Sequence, residues 1–211
     1  MTNEHRLPPR QLTVTDLACR RGERVLFSGV GFALTPGRAL LLRGPNGVGK
    51  TTLLMALAGI VTPFSGRVEI GGRGEEDGPD LGLLFYRSGL KSRLTVLENL
   101  RFWVALDGGA DTAIAGTLET VGLGGLEALD AGFLSSGQLR RLALARLILA
   151  QRPVWLLDEP TAALDAQGEA LVGRLIDQHL DRGGLVVAAT HHDLGLGDAG
   201  RVETLMLEAL A

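Results

Sequence analysis

"RALLLRGPNGVGKTTLLMALAG", residues 38 to 59, decides the fold. From Arg38 to Gly44 it reads as a buried strand that runs into a glycine-rich turn. From Lys50 it runs at helical spacing until Gly59 stops it. Between the two, "GPNGVGKT", Gly44 to Thr51, matches G-x-x-x-x-G-K-[ST] in the strand, loop, helix order that a phosphate cradle needs. Gly44, Gly47 and Gly49 let the backbone curl so that successive N–H groups face inward, and the helix start adds positive potential for a polyphosphate. Pro45, Asn46, Val48 and Thr52 complete the set of candidate nucleotide contacts. Lys50 would bridge the β- and γ-phosphates, and the Thr51 hydroxyl would serve Mg²⁺, a hard ion that prefers oxygen. The competing explanation is a glycine-rich turn with a surface lysine; two further motifs weigh against it.

The 211 residues suffice for one sizeable core, or one core with a small inserted lobe, so residues 1–211 are expected to form a single domain. An apolar share of 45% and a charged share of 21% argue against wholesale disorder. The net charge of −3 offers no broad basic footprint, so no nucleic-acid partner is expected. Cys19 stands alone, and "MTNEHRLPPR" lacks the apolar core of a secretory signal; both fit a reducing cytoplasm. The longest apolar runs fall far short of the ~18 residues that cross a bilayer. Any membrane role would then come through a partner.

Residues 1–10 read as a flexible tail. Alternation and β-branching point to strands at 11–20 and 24–34, and further strands are expected at 66–70, 81–85, 154–157 and 185–190. Between Arg93 and Ala150 the pattern turns wholly helical, with segments at 94–106, 111–123 and after Ser135. The fold class that fits is α/β: a P-loop core with an N-terminal antiparallel β layer and a helical subdomain, about 93–150, inserted in the α/β core. The last residues, 201–211, leave room for one strand or short helix.

"VWLLDEP", 154 to 160, sets two acids at the end of an apolar run, where a central parallel strand would deliver them to the crevice outside the sheet's carboxyl edge. Asp158 would hold Mg²⁺, directly or through water, and Glu159 would act as general base on the attacking water. An Asp-Glu turn before a helix is the structural alternative. In "LSSGQLRRLALARL", 134 to 147, Ser135 and Ser136 can cap a helix whose N–H groups lie open to an anion beside Gly137. A capped helix with Leu139, Leu142, Ala143, Leu147 and Ile148 inward, and Arg140, Arg141 and Arg146 solvated or paired, explains the same stretch.

Taken in order, "GPNGVGKTT", "LSSGQ", "LLDEP", "ALD" (163–165) and "THHD" (190–193) resemble the ATP-binding subunits of ABC transporters over nearly the whole chain. The resemblance implies an ATPase whose signature segment closes on the ATP of a second copy in a head-to-tail dimer. It implies contacts from Ser135, Gly137 and Gln138 to the opposite γ-phosphate, signalling across the interface through Asp165, and a clamp on γ-phosphate and water by His191, with His192 as the alternative.

Three positions depart from the family, the mildest being Ser136, a small side chain in place of a glycine. Arg87 stands where the family has a glutamine that senses Mg²⁺ and the transport partner; a guanidinium can pair with phosphate but cannot ligate a metal. Arg21 stands where an aromatic stacks on adenine, a role its guanidinium plane can also fill. Within the family, the length and the segments "ERVLFSGVGFAL" and "LTVLENLRFW" are most similar to the haem-exporter ATP-binding subunits of bacterial cytochrome c maturation. That implies integral membrane permease subunits as partners at the cytoplasmic face of the inner membrane, and hydrolysis that powers haem export or release of a haem chaperone. The groove between the Arg87 loop and the helix bearing Phe102 and Trp103 is the expected docking surface, although these aromatics could equally be plain core. Other readings are an ATPase for another cargo (drug, lipid or polysaccharide), a soluble ABC-type ATPase acting on nucleic acid or ribosomes, and a non-hydrolysing binder.

Overall fold

A computed structural model describes residues 6–74, 78–85, 89–107 and 111–208. The strand expected from Arg38 forms β3 (Ala39–Arg43), and its four apolar residues are buried on both faces. Such a strand belongs in the middle of a parallel sheet, and it pairs in parallel with β7 (Leu185–Ala189) on one side and β8 (Val202–Met206) on the other. β6 (Val154–Asp158) and β5 (Leu81–Leu84) extend the sheet beyond β7, giving the order β5-β6-β7-β3-β8. The chain's end therefore supplies a strand rather than a helix.

A second, antiparallel sheet is built from β1 (Gln11–Arg21), β2 (Arg24–Leu34) and β4 (Ser65–Gly71), in the order β2-β1-β4. Alternation along the parallel strands divides the core in two. Leu40, Leu42, Leu156, Val187 and Ala189 face a cluster made with α1 (Lys50–Leu57) and the antiparallel sheet. Leu41, Leu157, Val186 and Ala188 face the other cluster, with α4 (Ser136–Leu149) and α5 (Ala166–Asp181). Every parallel connection must cross a face of the sheet, so helices on both sides are the geometric cost of this topology. Residues 96–149 carry α2 (Val96–Asp107), α3 (Ile114–Thr120) and α4, whose Val104, Leu118 and Leu142 share the second cluster. The helix expected over 111–123 is shorter: it opens with a 3-10 turn at Asp111–Ala113 and ends at Thr120, before the left-handed Gly122.

The expected flexible tail is corrected over its described part, residues 6–10. The Leu7 amide donates to the Arg182 carbonyl and Leu7 is buried. Arg10 is buried, and its Nε donates to Asp80 Oδ1 at 2.6 Å while Nη1 donates to the Gly72 carbonyl at 2.7 Å. A buried guanidinium needs such partners, so the segment is bound where prolines and polarity suggested looseness.

Under β6, His179 of α5 stacks on Trp155, with ring centroids 3.9 Å apart and planes 14° apart, and its Nε2 meets the Pro153 carbonyl at 3.2 Å. Burial pushes its pKa down to about 4, with the nearby Arg182 adding to the effect. A histidine held neutral in the fold and basic when unfolded stabilises the protein fully above about pH 6.5, and that contribution is lost as the pH falls toward 4. The loss attributable to His179 is expected to reach about 3 kcal/mol. In urea unfolding at pH 7 and pH 4, H179Q should start less stable than wild type, through lost stacking, yet lose less on acidification. Parallel losses in the two proteins would contradict this.

Candidate nucleotide site

The site begins with strand register. Leu42 lies opposite Ala189, and Ala189 opposite Asp158, so β3, β7 and β6 end at one level. Whatever follows these strands must converge, and three loops distant in sequence do so here.

The loop after β3 bends at Gly44 (φ 136°), Gly47 (φ 78°) and Gly49 (φ 113°). At Gly44 a Cβ would lie 2.3 Å from the Leu207 carbonyl oxygen, and at Gly49 2.9 Å from the Phe27 ring. Only glycine fits at those two points, which lets the loop lie close over β8's end and β2. Lys50 opens α1, and its buried ammonium donates to the carbonyls of Gly44 (2.7 Å) and Pro45 (3.0 Å). It also lies 3.0 Å from His191 Nε2. A lysine ammonium has only donors, so in this contact Nε2 accepts. The structure thus brings His191 into the site; His192 is exposed, its amide bound to Thr190 Oγ1 at 3.0 Å.

Thr51 Oγ1 donates to Asp158 Oδ2 at 2.9 Å. Burial raises the Asp158 pKa above its ordinary 3.8; Glu159 adds to the rise, and the Thr51 hydroxyl, Arg140 and Lys50 oppose it. Glu159 follows with φ 44°, a left-handed conformation unusual for a side-chain-bearing residue, and its amide donates to the Ala189 carbonyl at 2.8 Å. Its Oε1 stands 3.6 Å from His191 Nε2. The Lys50–His191 and Thr51–Asp158 hydrogen-bonded pairs, with Glu159 beside His191, therefore gather at the sheet's carboxyl edge.

The other predicted residues are placed apart from that group. Ser135 is the N-cap of α4: its Oγ accepts from the Gln138 amide at 3.2 Å, and Gln138 Oε1 accepts from the Ser135 amide at 2.9 Å. This capping box leaves the Ser135 hydroxyl proton to donate elsewhere, and the Ser136 and Gly137 amides sit in a first turn that has no intrahelical acceptor. Gly137 faces the Ala163 carbonyl, 2.9 Å from where a Cβ would lie. Asp165 caps α5 by accepting from the Gly168 amide and pairs with Arg141 Nη2 at 3.3 Å. Arg21 ends β1 opposite Arg24, exposed, with no hydrogen bond to the cradle among the described residues. Arg87 lies outside the described residues.

Two arginines read from sequence as solvated or paired do more. The Arg146 guanidinium stacks over Trp103, 3.6 Å from the ring centroid, which leaves Phe102, rather than Trp103, exposed on α2. Arg140 reaches under the acidic turn to the backbone of Asp158 and Glu159, a role that the "RR" pair gives no local sign of.

The family model for ABC transporters matches residues 27–162, from β2 through the acidic turn. The chain belongs to the ABC transporter family. It is an ABC-type ATPase, an ATP-binding and ATP-hydrolysing transporter subunit. The cytochrome c biogenesis ATP-binding export protein CcmA of Ruegeria pomeroyi is 51% identical over 185 residues, covering 88% of this chain and 87% of that protein. Its counterpart in Rhizobium meliloti is 47% identical over 205 residues, covering 92% and 97%. Among solved structures, a putative ABC transporter ATP-binding protein from Pyrococcus furiosus superposes with a TM-score of 0.78 at 23% identity, over 93% of this chain and 97% of that one. A nucleotide-free ATP-binding cassette gives 0.75 at 20% identity, over 94% and 87%. At those identities the structures speak for the fold alone. Among the described residues, no helix of this ABC ATPase is long and apolar enough to cross a membrane.

The raised Asp158 pKa has a thermodynamic consequence. Its carboxyl binds a proton more tightly in the folded chain than in the unfolded one, so the nucleotide-free protein loses stability as the pH rises from about 4 through the folded value. D158N lacks that group. Relative to wild type, it should therefore gain stability between pH 4 and pH 7 in urea titrations. An identical pH dependence in both proteins would show that burial at Asp158 carries no such cost.

Proposed function

We propose that this chain is the ATPase that powers a haem-export or haem-chaperone release step in cytochrome c biogenesis, working as a head-to-tail pair with ATP held between the copies. The observation that carries the hydrolytic part is the gathering of Lys50, Thr51, Asp158, Glu159 and His191 at one sheet edge. Identity of 51% to a cytochrome c biogenesis export protein, over most of both chains, supports the cargo.

In this reading the loop from Gly44 to Thr52, including Pro45, Asn46, Gly47, Val48 and Gly49, wraps the phosphate chain with its amides. Lys50 exchanges its two loop carbonyls for β- and γ-phosphate oxygens. Thr51 Oγ1 and Asp158 Oδ2 are adjacent hard oxygen donors, the kind of pair that suits Mg²⁺, and they would hold the ion that comes with the nucleotide. When bound, that ion offsets charge on the phosphates. Glu159 takes the proton of the attacking water, and His191 orients the γ-phosphate and that water. Ser135, Gly137 and Gln138 of a second copy close the far side with a hydroxyl and helix-start amides. Asp165 carries contact across the interface, and Arg21 lies flat on the adenine. Arg87 pairs with phosphate or a carboxylate in place of the family's glutamine.

Integral membrane permeases would hold the pair at the cytoplasmic face of the bacterial inner membrane. The inserted helical subdomain, with exposed Phe102 and Leu106 on α2, offers them a docking surface.

E159Q tests the hydrolytic part. Removing the base should slow turnover by about 100-fold or more, while ATP stays bound and the variant elutes as an ATP-dependent dimer. Unchanged turnover would remove Glu159 from its role. For the cargo, the tagged chain extracted in mild detergent should bring down cytochrome-maturation permeases. A host lacking its own counterpart should regain c-type cytochromes with wild type and not with E159Q. Recovery of other permeases would point to a different cargo, and recovery of ribosomes or nucleic acid would overturn the transporter assignment.

A further inference from the structure

Arg140 lies five residues past the N-cap of α4, on the helix's inner side, and among the described residues its guanidinium donates to backbone carbonyls. Nε donates to Pro160 at 3.2 Å, Nη1 to Phe85 at 3.4 Å, and Nη2 to both Asp158, at 2.6 Å, and Glu159. Three consecutive carbonyls of one turn thus point at a single cation. Within that turn Glu159 adopts φ 44°, in the left-handed region. That conformation is disfavoured for a residue with a Cβ, so it persists only where its surroundings over-determine it. Here the Glu159 amide donates to the Ala189 carbonyl, while the Glu159 carbonyl accepts from both the Ala162 amide and Arg140, which also donates to the carbonyls on either side.

We infer that Arg140 is a positioning residue for ATP hydrolysis: its guanidinium holds the turn at Glu159 in its left-handed form, so that the carboxylate is kept facing His191. The inference rests on Glu159 acting as the base. It goes further in assigning the aim of that base to a residue of another element. A planar fork with several separated donors can span the ends of β5 and β6 at once, whereas a lysine ammonium is a point donor and a glutamine has one donating nitrogen. Arg140 also sits on the helix that Ser135 caps. A shift of α4 along its axis would therefore move the clamp and the serine tip together.

The test uses the purified full-length chain, with single-turnover hydrolysis of ATP, affinity for a fluorescent N-methylanthraniloyl ATP analogue, and thermal unfolding measured on each variant. R140Q should slow hydrolysis by about 100-fold, the scale of a misaimed catalytic group, with analogue affinity within threefold of wild type. R140K, which keeps the charge without the fork, should lose about tenfold. In the E159Q background, R140Q should cost less than threefold further, because Arg140 acts through Glu159 and not beside it. Loss of turnover in E159Q alongside wild-type turnover in folded R140Q or R140K, within twofold, would overturn the role of Arg140 while leaving the base intact. Wild-type turnover in E159Q itself would instead sink the base and, with it, this inference. Should R140Q not fold, R140K decides alone. If turnover and nucleotide affinity fall together in both, or if neither folds, Arg140 is a structural prop and the inference is wrong.

Discussion

Three parallel strands that end at one level are the constraint from which the site follows. Leu42, Ala189 and Asp158 stand abreast across β3, β7 and β6. A shift of one residue at either pairing would turn every side chain of a strand to the other face, exchanging the two apolar clusters. Since both faces are buried, against α1 and the antiparallel sheet on one side and α4 and α5 on the other, such a shift is opposed along the whole strand. The apolar core therefore does the aligning. The polar groups at the strand ends inherit their proximity from it.

What those polar groups do with that proximity is an electrostatic matter. Lys50 and Asp158 are each poorly solvated, and neither is left without a partner: loop carbonyls and an imidazole face the ammonium, and a threonine hydroxyl faces the carboxylate. The raised Asp158 pKa marks the cost of holding a carboxyl there. Phosphates and a hard cation would replace these contacts with stronger ones, so the protein stores near its sheet edge a set of groups better matched to a ligand than to one another. Burial works against the charge of Arg140, and the nearby carboxylates of Asp158 and Glu159 offset it.

Much of this was legible in residue order. The phosphate loop could be read because its glycines and lysine are contiguous and each is required for a local reason: backbone room at Gly44 and Gly49, and a long cation at the helix start. The acidic pair could be read because charges at the end of an apolar strand are rare. Arg140 could not, since its partners are carbonyls, which every residue carries and no side-chain pattern announces. The bound state of Leu7 and Arg10 was equally hidden. Proline and polarity describe a segment's own preferences, whereas its attachment depends on Arg182 and on Asp80, 70 positions along from Arg10.

By itself, the order of residues determined the strand, cradle and helix at 39–57, the apolar strands, the acidic turn and the capped α4. Each of these rests on bonds and sterics within a few neighbouring residues. Only the tertiary structure decided that His191 rather than His192 meets Lys50 and that the last segment is a strand beside β3. It likewise decided that the left-handed turn at Glu159 is gripped from α4. These outcomes depend on which atoms from distant parts of the chain come within about 3 Å, a distance set by sheet register and helix packing and not by local propensity.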